Sequence, residues 1–84
     1  MKNFKIGQIV KADNSETYLL VTSESELVPT SKIGPYLAFK AIVMASTSEY
    51  WKERITENIE GFNVDAFRVL EPIELEYFVN VILV

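Results

Sequence analysis

The sequence predicts an α+β domain in which one helix packs on a small antiparallel sheet. The chain has 84 residues, 49% of them hydrophobic, and its short runs with strand-like alternation flank one run with helical spacing. A chain of this length buries somewhat more than about 60% of its unfolded surface on folding. We therefore expect a single domain over residues 1–84 with one small core.

Four extended segments are predicted in the first half of the chain. Residues 4–12 and 17–22 are rich in branched apolar side chains, and the polar cluster at residues 13–16 favours a hairpin turn between them. Leu27 and Val28 form a short strand candidate. Residues 36–45 alternate but are mostly apolar on both faces, which is typical of a central strand.

The helix is predicted over about residues 47–60. Ser46 and Glu49 stand at capping-box spacing, and Gly61 suits the position just after a helix. Four apolar residues recur at the spacing of one helical face, which would pack on the sheet. They are Trp51, Ile55, Ile59 and Phe62.

Two strands are predicted after the helix, at residues 63–71 and 73–84. In the last segment one set of alternating positions is wholly apolar, the pattern of a half-buried strand. Phe78, Ile82 and Val84 are apolar on its other face, where they would be exposed. Either the predicted helix or a second copy of the chain would cover them, and we expect the second copy, which makes the protein a homodimer.

The opening segment adds a more specific expectation for the sheet. Residues 5–12, Lys-Ile-Gly-Gln-Ile-Val-Lys-Ala, resemble the first strand of SH3-like barrels. The predicted architecture is thus either a small antiparallel sheet or an SH3-like partly open barrel of about five strands, with the helix packed on it.

The residue types present exclude several kinds of chemistry. With no cysteine and no histidine, the chain cannot form disulfides, Cys/His zinc sites or a histidine-activated nucleophile. Glu74 and Glu76 are interpreted as the polar face of a strand rather than as a catalytic or metal-binding pair. We expect a protein that is not an enzyme, with no catalytic residues, no cofactor and no metal.

The charge is distributed unevenly along the chain. Residues 1–42 carry five basic and four acidic side chains, a net of +1, whereas residues 43–84 carry three and eight, a net of −5. An acidic protein of pI ≈ 4.7 is poorly suited to bind nucleic acid or an anionic membrane directly. A basic protein is the favoured partner. The lack of an apolar leader at the N-terminus favours a cytoplasmic location, which for a phage protein is the cytoplasm of the host.

One helical stripe of carboxylates carries the functional hypothesis. Glu49, Glu53, Glu57 and Glu60 would lie on one side of the predicted helix, where like charges repel. Such an array suggests an acidic inhibitor, of the kind phages and mobile elements use, that mimics nucleic-acid charge and blocks a basic nucleic-acid-binding protein. The residues predicted to contact this partner are Glu49, Tyr50, Glu53, Glu57, Glu60, Glu71, Glu74 and Glu76.

Two other functions compete with this hypothesis. In the first, the carboxylates only keep a solvated surface soluble, and the chain is a structural or assembly protein of a homo-oligomer. In the second, the chain is an SH3-like nuclease toxin with a basic groove. The lysines available for that groove are Lys2, Lys5, Lys11, Lys32 and Lys40.

Overall fold

The computed structural model describes residues 3–29, 32 and 34–82. In this part of the chain six strands form one antiparallel sheet. The strands are β1 (Ile9–Ala12), β2 (Thr17–Val21), β3 (Glu26–Val28), β4 (Tyr36–Ser46), β5 (Asn58–Asn63) and β6 (Phe67–Val69). The helical segments are α1 (Glu49–Lys52), a 3₁₀ turn (Val64–Ala66) and α2 (Pro72–Tyr77), which continues as a π-helical turn (Phe78–Ile82).

The sheet curls into a half-barrel in the order β3-β4-β2-β1-β6, with β5 on the other edge of β4. The pairing of β4 passes from β2 to β3 through Thr22, whose N–H donates to the Lys40 carbonyl at 2.9 Å. Strands β2 and β3 are therefore two parts of one interrupted strand, and the barrel has five strands in effect. The predicted α+β class and SH3-like, partly open barrel are confirmed.

Several predicted strands are also confirmed. Strands β1 and β2 pair as the expected hairpin, and β3 contains Leu27 and Val28. The predicted central strand is β4, which pairs with β2, β3 and β5. Strand β6 lies inside the segment predicted at residues 63–71 and pairs with β1, which places the first and last strands of the chain side by side.

The sheet separates two apolar clusters. Because side chains alternate along a strand, Val10 and Leu19 face the main core, whereas their neighbours Ile9 and Tyr18 face the opposite side, here called the outer face. Segment α2 and its π turn pack on the outer face. The buried residues of the outer cluster are Tyr18, Leu70 and Phe78.

The predicted helix over residues 47–60 is wrong, because it ends after one turn at Lys52. The chain instead returns to β4: the Thr56 N–H donates to the Val43 carbonyl at 2.8 Å, and the Val43 N–H donates to the Glu57 carbonyl at 3.2 Å. This pairing satisfies the edge of β4, whose backbone groups would otherwise lack partners. Tertiary pairing therefore outweighs the local helix signals.

A β-bulge explains why strand β5 resembles a helix in sequence. Phe39 faces Phe62 and Ala41 faces Ile59, so three residues of β5 span two residues of β4. The extra residue lets Ile59 and Phe62, three positions apart, both pack against the main core. Gly61 provides the positive φ of +90° that the bulge requires. A glycine with a positive φ is also common just after a helix, which is why Gly61 suggested a helix end in the sequence.

The predicted last strand, residues 73–84, is also wrong, since the described part of it is helical. Pro72 occupies the first turn of α2, a position where its missing N–H costs nothing. The Glu71 N–H donates to Glu74 Oε1 at 3.2 Å, which satisfies one of the free donors at the helix start. A helix also lets Phe78 and Ile82, four positions apart, pack into the same outer cluster.

Candidate functional site

The predicted carboxylate stripe does not exist as one helical face. Glu49 and Glu53 lie on and just after α1, while Glu57 precedes β5 and Glu60 lies within it. All four are exposed, and Glu60 forms an open ion pair with Lys40 at 3.7 Å. The regular spacing of these four carboxylates in the sequence therefore does not place them in one row on the surface.

The three other predicted carboxylates lie on the far side of the sheet. Segment α1 packs through Trp51 against the main core, whereas α2 packs on the outer face. Glu71, just before α2, and Glu76 within it are exposed. The eight residues predicted to contact a partner thus do not form one surface, because α1 and α2 pack on opposite sides of the sheet.

Glu74 has a structural role that the sequence did not indicate. Its two oxygens accept hydrogen bonds from Arg68 Nη1 and Nη2, each at 2.6 Å. The Arg68 guanidinium, followed by the Glu71 N–H, lowers the pKa of Glu74 to about 2. This bidentate pair attaches α2 to strand β6, so Glu74 is not a free charge for a partner.

Tyr50, one of the residues predicted to contact a partner, has 57% of its surface exposed. Its ring meets Trp51 edge-on at 4.7 Å, and the Arg54 guanidinium carbon lies 4.2 Å from the Tyr50 ring centroid. This cation–π contact places a positive charge among the carboxylates of α1. The surface around α1 therefore carries charges of both signs.

The residues predicted to form a dimer interface have different positions. Phe78 is fully buried and packs on Tyr18 with ring centroids 4.7 Å apart, so it offers no surface to a second chain. Ile82 is half-buried against the same cluster. Val84 lies outside the described residues. The prediction placed these side chains outward because it assumed a strand.

One exposed flank of α2 and its π turn, next to the side that packs on the sheet, is apolar. Ile73, Tyr77 and Val81 follow one another at four-residue intervals and have 75%, 56% and 55% of their surfaces exposed. We call these three residues the α2 stripe. Glu71 and Glu76 are exposed on the same segment, and residues 70–84 include no lysine or arginine. An exposed apolar row with acidic neighbours is typical of a surface that contacts another molecule.

A cleft of about 350 Å³ opens between α2 and the β1–β2 hairpin. In register, Tyr18 of β2 stands opposite Lys11 of β1, and Lys11 stands opposite Arg68 of β6. The Tyr18 hydroxyl donates to Glu16 Oε2 at 2.9 Å. The side chains that line the cleft are Lys11, Glu16, Tyr18, Ile73, Glu74 and Tyr77.

Tyr18 is a fixed hydrogen-bond donor in this cleft. Burial, followed by the hydrogen bond to Glu16, raises the pKa of Tyr18 to about 12, so its hydroxyl keeps the proton at neutral pH. Only Oε2 of Glu16 is engaged within the described part of the chain, which leaves Oε1 able to accept from a ligand. Ile73 and Tyr77 belong both to the cleft and to the α2 stripe.

A second groove, of about 340 Å³, lies near the N-terminal half of β4. Lys40 and Glu60 face each other across it, and Glu24 and Glu26 line it from the β2–β3 side. Leu27 is its most exposed apolar residue at 62%. This groove is acidic at its rim, but its ion pair is open to solvent and screened by salt.

Two of the described lysines of the nuclease hypothesis, Lys11 and Lys40, line different grooves. Lys11 lines the cleft beside Glu16 and Glu74, and Lys40 pairs with Glu60. Lys5 and Lys32 are exposed, and Lys2 lies outside the described residues. In residues 3–29, 32 and 34–82, no three acidic side chains are grouped in a way that could hold a metal ion.

The sequence did not indicate the α2 stripe or the cleft because both depend on residues 72–82 being helical. A proline followed two residues later by a glutamate, as in Pro72 and Glu74, is a helix-start pattern that could have identified them. Phe78 and Ile82 at i and i+4 would then have marked the packed side, with Ile73, Tyr77 and Val81 on the flank next to it.

Comparisons of the chain with protein-family models, with curated proteins and with solved structures found no match. A function for this chain therefore has to come from its own geometry. Among the helices in the described ranges, none is both long and apolar enough to cross a bilayer.

Proposed function

We propose that this protein is a non-enzymatic binding module whose α2 stripe engages a basic amphipathic segment of another protein. The observation that supports it is the row of exposed side chains Ile73, Tyr77 and Val81 on a segment whose only charges are glutamates. An aromatic residue in the middle of such a row is a common centre of binding energy at protein interfaces.

Charge selects the partner. Arg68 neutralises Glu74, so α2 presents Glu71 and Glu76 as its free charges. A partner segment with lysine or arginine beside its apolar side chains gains attraction during association, and an acidic one is repelled. A twofold pairing of two α2 stripes would bring like charges together, which favours a different, basic chain over a second copy.

A basic nucleic-acid-binding protein would satisfy this requirement, although the proposal does not depend on charge mimicry. Mimicry of a nucleic acid needs one dense array, since duplex DNA carries one charge per about 1.7 Å of axis. The carboxylates of α1 and α2 are carried on opposite sides of the sheet. The α2 surface alone supplies charge for steering and apolar side chains for affinity.

Two designed amphipathic peptides of equal length and equal apolar pattern test the proposal. One carries lysine on its polar face and the other glutamate, and binding to the full chain is titrated by tyrosine and tryptophan fluorescence. We expect the lysine peptide to bind at least about tenfold more tightly, and to weaken as salt is raised.

A triple variant with Ile73→Ser, Tyr77→Ser and Val81→Ser locates the contact. These side chains are exposed, so the variant should keep its melting temperature within a few degrees and lose the lysine peptide. Leu27→Ser is the matched control, because it removes an exposed apolar side chain from β3 and should leave binding unchanged. Equal binding by the triple variant and the parent would refute the proposal.

The second candidate function is self-assembly into a homo-oligomer. The apolar character of the α2 stripe favours it, since a second copy could also cover Ile73, Tyr77 and Val81. It requires the glutamates of the two copies to be offset from one another or screened. Added salt should therefore strengthen self-assembly and weaken the binding of a basic partner.

A further inference from the structure

We propose that the cleft between α2 and the β1–β2 hairpin receives an arginine side chain of the partner, held by Glu16 and stacked on Tyr77. This inference rests on the proposed function, because the cleft shares Ile73 and Tyr77 with the α2 stripe. A segment bound along the stripe would pass directly over the opening of the cleft.

The size and shape of the cleft favour one long side chain. Its volume of about 350 Å³ is at the lower end of ligand sites, which span roughly 300–1,000 Å³. The exposed ring of Tyr77 and the side chain of Ile73 form an apolar wall at the opening. A planar guanidinium stacks on such a ring more favourably than a compact ammonium does.

Glu16 is the acceptor that a guanidinium would find. Its Oε2 is fixed by the Tyr18 hydroxyl at 2.9 Å, so the carboxylate is oriented before a ligand arrives. Tyr18 is 6% exposed and packs on Phe78, which makes it a rigid support. Charge-assisted hydrogen bonds to a pre-oriented carboxylate are stronger than those between neutral groups.

Lys11 provides a test of whether the cleft binds a positively or a negatively charged ligand. It lines the same cleft, and its ammonium donates a hydrogen bond to the Ala12 carbonyl oxygen at 3.4 Å. A cationic ligand would be repelled by Lys11, whereas an anionic ligand would depend on it. Replacing Lys11 therefore strengthens binding of an arginine and weakens binding of a carboxylate or phosphate.

The experiment is an NMR titration of the full chain with N-acetyl-L-arginine methylamide. The matched ligand is the corresponding citrulline compound, which has nearly the same shape and no charge. We expect the arginine compound to shift the backbone amides of residues 11, 16–18 and 73–77, and the citrulline compound to shift them much less. Shifts spread over other parts of the surface, or equal shifts from both compounds, would overturn the assignment.

Three variants complete the test. Glu16→Gln keeps an acceptor for Tyr18 but removes the charge, and should weaken arginine binding roughly tenfold. Lys11→Gln should strengthen it, and Lys5→Gln, an exposed lysine outside the cleft lining, should leave it unchanged. Loss of binding in Lys11→Gln would overturn the proposal. This titration needs no partner peptide, so the two proposals can fail separately. Arginine binding in the cleft can be absent while the α2 stripe still binds the lysine peptide, and it can be present when the stripe does not bind that peptide.

Discussion

At the scale of single residues, two positions with left-handed backbone determine the path of the chain around β5. Gly61 has a φ of +90° inside the bulge, and Thr56 has a φ of +79° at the turn before the strand. Glycine adopts this conformation without a steric penalty, whereas a β-branched residue such as threonine is strained in it. Thr56 is held there by its hydrogen bond to the Val43 carbonyl, which starts the pairing with β4.

Replacing Thr56 with asparagine should stabilise the protein. Asparagine tolerates the left-handed region better than threonine, and its backbone N–H can still donate to Val43. We expect the free energy of unfolding to rise by about 0.5–1 kcal/mol, measured by urea denaturation. Thr47→Asn is the control, because Thr47 is exposed and does not have a positive φ. A loss of stability in Thr56→Asn would mean that the threonine side chain makes a stabilising contact.

At the scale of elements, periodicity predicted the strands whose side chains mainly alternate between the two faces of the sheet and misassigned two segments, β5 and the C-terminal helix. Strands β1, β2 and most of β4 alternate in this way, although the pairing of β2 with β4 shifts register between Tyr18 and Leu19. In β5 the bulge changes the spacing of Ile59 and Phe62 from two to three residues. No sequence pattern distinguishes that spacing from a helical one without knowledge of the free edge of β4.

The prediction for the C-terminal segment was wrong for a different reason. Residues 73–82 alternate as a strand would, yet Glu74, Phe78 and Ile82 are also spaced as one side of a helix. The outer face decides between the two: Tyr18 and Leu70 form an apolar surface that one helix covers with Phe78. Arg68 lies outside residues 73–82, so no pattern within that segment includes it. Its ion pair with Glu74 then attaches the helix to strand β6.

The ion pair between Arg68 and Glu74 should make the stability of the protein depend on pH. The pKa of Glu74 is lowered from 4.5 to about 2 in the folded chain, first by Arg68 and then by the Glu71 N–H. A lowered carboxyl pKa contributes stability above the unfolded value of 4.5, and this contribution is lost as pH falls from 4.5 to about 2. We expect Glu74→Gln to melt below the parent at pH 7, with the gap closing through that acidic range.

The matched control for this prediction is Glu76→Gln on the same helix. Glu76 is exposed and forms no ion pair within the described residues, so its replacement should leave the melting temperature nearly unchanged at pH 7. A gap for Glu74→Gln that stays constant down to about pH 2 would show that the loss comes from packing or helix capping rather than from charge.

At the scale of the whole molecule, composition predicted the sign of the charge but not its arrangement. Residues 43–84 do carry a net charge of −5, yet their carboxylates are spread over α1, the segment before β5, β5 itself, the 3₁₀ turn and α2. Arg54, Arg68 and Lys40 also contact Tyr50, Glu74 and Glu60 respectively. A site defined by carboxylate spacing along a helix could not be predicted correctly once that helix was misplaced. The predicted acidic contribution of Glu71 and Glu76 is retained because it needs only their exposure.

Salt should separate the two ways in which the α2 stripe can be covered. If two copies meet through Ile73, Tyr77 and Val81, the glutamates of both α2 segments are brought together, and added salt screens their repulsion. We therefore expect any self-association through this surface to increase with salt, with the mass measured by light scattering rising from 9.6 kDa towards about twice that value. The complex with the lysine peptide should weaken over the same range, because there the screened charges attract. Replacing Glu71 and Glu76 with glutamine should act as salt does, strengthening the homodimer and weakening the peptide complex. A homodimer that dissociates in high salt would instead require opposite charges across its interface, and would place that interface away from α2.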